Sequence, residues 1–280
     1  MEQYIIRMLE KAANNGDVRA QYALGEIYVQ GILCAPNYKE AEKWWILASK
    51  KNDDAKASLA VLYLKENKNY KEAEKLLKEA AQNGNVLAQS NLGNFYLQGY
   101  PDIERNEQEA LKWLSKAASV GDMNAQNDLY YYYAEGIIVK KNILKAIRLL
   151  ESSAKQGFPK AFMNLGFLYY MGQYGVEKDY VKAEENFKML VNMGFCDYYF
   201  CLGHIYEEGG YGIEKDEKKA YLCYCRLLKA IRMRDQTNKE NDENIKIIKD
   251  IEDRIKRLEE KFEKDGNKEI IEWLTKYLSM

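Results

Sequence analysis

The side chains best equipped for chemistry stand close together late in the chain: Cys196, Cys201, His204, Cys223 and Cys225. Cys201 and His204 are spaced to share one face of a helix, and Cys223 and Cys225 fall on the helix that would follow. That spacing permits a mixed Cys/His zinc site and, with it, a metal-dependent enzyme. The signal is weak, because structural zinc sites usually show C-x-x-C pairs and here Cys223 and Cys225 point to different helical faces. His204 is the one histidine in 280 residues, which removes paired-histidine motifs such as H-E-x-x-H; no P-loop, G-x-S-x-G or G-x-G-x-x-G run is present either. Carboxylates are plentiful, but they alternate with lysine as on solvated helix faces, and no acid pair stands apart. A second candidate is the run Tyr130-Tyr131-Tyr132-Tyr133, which could form a stacking or redox platform among 23 tyrosines. The expectation is no catalytic set, no bound metal and no cofactor.

Whether such groups converge depends on the elements that carry them, and repetition reveals these elements. The pattern A-x-x-x-L-G-x-x-Y recurs at Ala20/Leu24/Gly25/Tyr28, Ala88/Leu92/Gly93/Tyr96 and Ala161/Leu165/Gly166/Tyr169, with degenerate copies from Ala55, Ala125 and Tyr198. Successive anchors lie 33 to 37 residues apart, a length suited to one helical hairpin. The offsets inside each copy follow a helical period and define helix A. A glycine stands three residues after the tyrosine in five copies (Gly31, Gly99, Gly136, Gly172, Gly209), where a helix end calls for a left-handed residue; the second copy lacks it. A second alanine (Ala41, Ala73, Ala110, Ala146, Ala183, Ala220) marks helix B. Four residues before each stands Asn37, Asn69, Asn106, Asn142, Asp179 or Asp216, all N-cap types. Glu40, Glu72 and Glu109 then predict capping boxes in the first three copies. Small residues on facing stripes let the two axes approach, and each hairpin leaves an apolar flank that only its neighbour can cover. The prediction is all-α: a solenoid of stacked hairpins. In that register Tyr132 and Tyr133 are scaffold. Tyr130 takes the small-residue slot and predicts a local irregularity, and Tyr131 alone is at a variable position.

The repeating residues resemble Sel-1-like repeats, a subclass of the tetratricopeptide-repeat superfamily. The loops Tyr174-Gly175-Val176-Glu177-Lys178-Asp179 and Tyr211-Gly212-Ile213-Glu214-Lys215-Asp216 match its G-V-x-K-D-type connection, and Ala110, Trp113, Ala117, Ala118 and Gly121 match its helix B. The resemblance covers residues 1–231, as an N-terminal half-unit and six repeats at about 17–51, 52–84, 85–121, 122–157, 158–194 and 195–231. It departs at Tyr130, at the missing glycine after Tyr63, and at Asn186 and Cys223, which occupy the family's Trp slot. It implies a right-handed α-solenoid whose helices A line a concave surface, and non-enzymatic scaffold or adaptor work. The variable helix-A positions then give a surface of Tyr131, Met163, Phe167, Tyr170 and Phe200, with His204 beside them and Lys160, Asp197 and Glu207 as a polar rim. A protein or peptide is the expected partner. As some bacterial members of the family neutralise toxins, an immunity or inhibitor protein is the alternative.

Beyond Met233 the pattern stops. DQTNKENDEN reads as a polar linker, about 232–244, ahead of C-terminal capping helices in 245–280. Ile248, Ile251, Ile255, Leu258 and Phe262 form one apolar seam, which either caps the open end of the solenoid or mediates self-association; a monomer is expected. A last helix from Asn267 would turn Ile270, Ile271, Leu274, Tyr277 and Leu278 inward. With 42 Lys+Arg against 43 Asp+Glu, the chain presents no large field to attract nucleic acid or an anionic membrane. The charged N-terminus, the lack of a long apolar run and five unpatterned cysteines predict a cytoplasmic protein, and the Lys/Asn/Ile/Tyr-rich composition suggests an AT-rich bacterial source.

Overall fold

The computed structural model describes residues 2–235, 242–266 and 269–270. These form fourteen α-helices with no strand beyond two isolated bridges, Tyr100–Ile103 and Gly210–Ile213. The chain divides into two compact units, 1–156 and 157–280. The first opens with α1 (Glu2–Asn14) and continues as four hairpins: α2 (Val18–Gln30) with α3 (Tyr38–Ala48), α4 (Asp53–Leu62) with α5 (Tyr70–Gln82), α6 (Val86–Gln98) with α7 (Glu107–Ser119), and α8 (Met123–Glu135) with α9 (Ile143–Lys155). The second holds α10 (Pro159–Met171) with α11 (Tyr180–Asn192), α12 (Tyr199–Glu208) with α13 (Glu217–Asp235), and α14 (Asp242–Lys264). Among the described residues, no helix is long and apolar enough to cross a membrane.

Each helix B begins at its expected cap. The side-chain oxygens of Asn37, Asn69, Asn106, Asn142, Asp179 and Asp216 accept from the backbone amides of Glu40, Glu72, Glu109, Lys145, Lys182 and Lys219. The capping boxes do not form. The amide that Glu40, Glu72 or Glu109 would have to reach already donates to a backbone carbonyl of helix A, that of Tyr28, Tyr63 or Tyr96, at 2.8, 3.1 and 2.9 Å. The same bond closes the other hairpins, from Asn142 to Tyr133, Asp179 to Tyr169 and Asp216 to Tyr206, at 2.8 to 2.9 Å. The three glutamates turn instead to Lys43, Lys75 and Lys112 one turn on.

The helix-A ends are less uniform than the glycine pattern suggests. Gly31, Gly136 and Gly172 are left-handed, whereas Gly99 and Gly209 combine positive φ with extended ψ and lead into the two bridged turns. In the hairpin without a glycine, α4 widens into one π-helical turn, Tyr63–Asn67, and Lys68 takes the left-handed position. The small-residue stripe does what its spacing implies. A β-carbon at Gly93 would stand 2.5 Å from Cγ of Leu114, inside any tolerable contact. The irregularity expected at Tyr130 does not appear: α8 is unbroken and the ring is buried. The helix-B slot four residues past the anchor alanine holds Leu150 in that hairpin, as it holds Leu77 and Leu114 in the second and third, against Trp45, Phe187 and Tyr224 in the others.

In α14 the seam expected from sequence faces inward. Ile251, Leu258 and Phe262 are buried and Ile248 and Ile255 half-buried, with Phe262 6.1 Å from Tyr221 of α13. This helix covers the end of the second unit. The polar stretch is partly helical, since α13 reaches Asp235 and α14 starts at Asp242. Of the last expected helix, Ile271, Leu274, Tyr277 and Leu278 lie outside the described residues.

Candidate functional site

Helix A of each hairpin in the second unit, α10 and then α12, carries most of the expected surface. Met163, Phe167 and Tyr170 are spaced to share one face of α10, and all three are half-buried. Phe167 meets Phe187 of α11 edge to face at 5.3 Å, and Tyr170 stacks on Tyr180 at 5.6 Å. The Tyr170 hydroxyl is 2.9 Å from Nδ1 of His204 on α12, and that nitrogen is 3.5 Å from Glu208, which also accepts from the Tyr180 hydroxyl. Burial, with Cys201 and Glu208 nearby, pushes the Tyr170 phenol up to about 12, so this small network is held by neutral hydroxyls at ordinary pH. Phe187, Tyr180 and Tyr198 belong to the same aromatic cluster. The sequence pattern missed them because they occupy scaffold slots, although an aromatic Tyr198 at an anchor position elsewhere given to alanine was a visible departure.

The remaining expected residues separate. Tyr131 is 50% exposed and belongs to the first unit. Lys160 is exposed in the first turn of α10. Asp197 is exposed and pairs with Arg234 at 3.4 Å. Glu207 is engaged within the molecule: it accepts from the Tyr224 hydroxyl at 2.7 Å, from Arg254 at 3.1 Å and from Arg257 at 2.5 Å, both arginines lying on α14. Arg254 also sits over the rings of Phe200 and Tyr224, 5.2 and 5.7 Å from their centroids. Phe200 is therefore bounded on one side by α14. On another side it lines a cleft of about 510 Å³ floored by Leu227, Ile231 and Ile247, with Asp197, Arg234, Lys246 and Asp250 at its edge.

The Cys/His group does not assemble. Among the described residues no three His, Cys, Asp or Glu side chains are arranged to hold a metal ion. His204 faces Tyr170, while burial pushes the thiols of Cys201 and Cys225 up to about 11 and that of Cys223 up to about 12, keeping them protonated and poor as nucleophiles or ligands.

The Sel1 repeat model matches residues 6–17, 18–53, 54–85, 86–122, 124–158, 159–195 and 199–229. Among solved structures, the chain is similar to a Sel1 repeat protein from Oxalobacter formigenes, 27% identical over 76% of this chain and 85% of that one, with a TM-score of 0.62. It is also similar to c5321, a protective antigen present in uropathogenic Escherichia coli strains that displays an SLR fold (23% identity, 89% and 63% coverage, TM-score 0.46). A third likeness is to the immunity protein Pa5087 from Pseudomonas aeruginosa (19% identity, 68% and 74% coverage, TM-score 0.49). No curated protein matches significantly. Seven matched segments cover most of the chain, and the same cap and tyrosine-carbonyl bond close every hairpin within them; the chain belongs to the Sel1 repeat family.

Proposed function

We propose that this protein is a non-enzymatic scaffold that binds a protein or an extended peptide along the helix-A face of its second unit. Sel1 repeat proteins typically mediate protein–protein interaction. The observation that carries the reading here is a continuous run of half-buried rings, Phe167, Tyr170, His204 and Phe200, on α10 and α12, which ends in the apolar cleft beside Phe200. Rings set in a rigid helical frame make good anchors because little conformational freedom is lost when they are covered. Met163 extends the run, and Lys160 and Asp197 supply charge at its margin. Tyr131 is a further exposed ring on the first unit's helix-A side. The raised thiols and the absence of a metal-holding cluster among the described residues give catalysis no support.

A photoreactive phenylalanine analogue placed at Met163 or at Phe200 tests the reading in the source cell. Both positions are expected to crosslink one and the same protein, and Phe167→Ala combined with Tyr170→Ala is expected to abolish the product. Crosslinks no richer than those from exposed Lys71 on α5 would overturn it.

A further inference from the structure

One slot sets the last two hairpins apart. Three residues after the helix-B alanine, the first and third hairpins place Trp44 and Trp113, only 3% and 5% exposed, and the second and fourth place Leu76 and Leu149; the last two place Asn186 and Cys223. Around Trp113 the fold shows what such a slot offers a ring. The ammonium groups of Lys112 and Lys116 lie 5.1 and 4.4 Å from its centroid, and its indole N–H donates to Glu109 at 3.0 Å.

In the last hairpin no ring fills the slot, and a cleft of about 400 Å³ opens there. That volume falls within the roughly 300–1,000 Å³ span of ligand clefts. Cys223, Val191, Leu202 and Leu222 give it apolar walls and Tyr199 and Tyr206 aromatic ones. Its charged lining is cationic: Lys188, Lys219 and Arg226, with no carboxylate. Arg226 holds the position that Lys116 has beside Trp113, and Lys219 replaces the Glu109 that receives the indole N–H. Lys219 and Arg226 already lie over the rings of Tyr206 and Tyr199, at 5.4 and 5.8 Å. Lys188 and Lys219 pair with Glu184 at 2.8 Å and Asp216 at 3.2 Å, carboxylates that stand outside the lining, and Glu184 also accepts from the Tyr206 hydroxyl. Every charged side chain that lines the cleft is thus a cation.

We propose that this cleft binds an aromatic side chain presented by an acidic peptide. The ring takes the volume that tryptophan fills in the first and third hairpins and comes under the cations, where its quadrupole is attracted. Aspartate or glutamate flanking the ring meets Lys188, Lys219 and Arg226, and the absence of a lining carboxylate selects acidic flanks over basic ones. The lining shares no residue with the helix-A set, so this is a second contact surface and stands or falls apart from the first.

The test uses the full chain and dye-labelled Asp-Glu-Trp-Glu-Asp, followed by fluorescence polarisation, with Asp-Glu-Ala-Glu-Asp and Lys-Lys-Trp-Lys-Lys as comparisons. Saturable binding of the first peptide alone is expected. Cys223→Trp, which fills the cleft from within, and Lys219→Glu with Arg226→Glu, which reverses its rim, should each weaken binding by roughly tenfold or more. Phe167→Ala with Tyr170→Ala should leave it unchanged. If Cys223→Trp fails to fold, the rim variant decides. Failure of the acidic tryptophan peptide to saturate, equal binding of the alanine or lysine peptide, or full affinity in the rim variant would overturn the proposal.

Discussion

The cap at the start of each helix B works at both ends, its side chain accepting from the amide three residues on and its own amide donating to a tyrosine carbonyl of helix A. The first unit uses asparagine for this, the second Asp179 and Asp216, and the difference makes the second unit sensitive to acid. Burial works against the charge on both carboxyls. The backbone amides of Lys182 and Lys219, and the ammonium groups of the same residues at 3.2 Å, outweigh it, so both lie below the ordinary carboxylate range. A lowered folded value means stability that is whole above the unfolded pKa of about 3.9 and is lost as pH falls through the folded ones. Asp179→Asn with Asp216→Asn keeps an accepting oxygen at each cap and removes the titration. Urea unfolding at pH 7 and near pH 3 should show a smaller loss in the double variant than in the parent chain. An equal loss in both would mean that the caps take no part in acid sensitivity.

The placement of α14 rests on an apolar seam and on a few charged groups that reach across to the last hairpin. Glu207 gathers Tyr224, Arg254 and Arg257, Tyr221 donates to Glu259 at 2.8 Å, and Lys261 reaches Glu217 at 2.6 Å. Truncating Glu207 to alanine leaves Arg254, whose side chain is 24% exposed, with Asp250 and two aromatic faces as partners. A cost of about 1–3 kcal/mol is expected. Hydrogen exchange in α14 should rise before exchange in α13, and a uniform rise along both helices would contradict the assignment. The same glutamate marks where reading the sequence stops. Helix pairs, caps and close glycine contacts were legible because they depend on offsets of a few residues, repeated six times. Glu207 read as a solvated rim residue because its partners stand 47 and 50 positions away on a helix outside the repeat. The capping boxes failed for a related reason: the amide that Glu40 needed was taken by Tyr28 on the other helix of the pair, a contact invisible in the local spacing.

Tyrosine also joins one helix pair to the element before it, at three of the repeat positions. The repeat tyrosine of helix A donates its hydroxyl to a glutamate on the preceding helix: Tyr28 to Glu10 at 3.1 Å, Tyr96 to Glu74 at 2.9 Å and Tyr206 to Glu184. Each ring closes the apolar flank between hairpins while its oxygen satisfies a carboxylate, so the ties serve packing and polar pairing together. Burial first, and then the facing carboxylates, against an opposing contact from Lys78 at Tyr96, raise all three phenols above the ordinary tyrosine value, Tyr28 to about 12. A raised folded value means stability that is whole below the unfolded pKa of about 10 and is lost as pH rises through the folded ones. Alkaline unfolding should therefore begin above about pH 10. Tyrosinate absorbance and loss of helical circular dichroism should rise together, because a phenol can ionise fully only once its hairpin has parted from its neighbour. Changing Tyr28, Tyr96 and Tyr206 to phenylalanine keeps the rings and removes the hydroxyls. That variant should lose about 1 kcal/mol per tie at neutral pH and shift the alkaline transition upward. Phenols that titrate near their free value while the helices stay intact would show that the stacking of hairpins does not depend on these bonds.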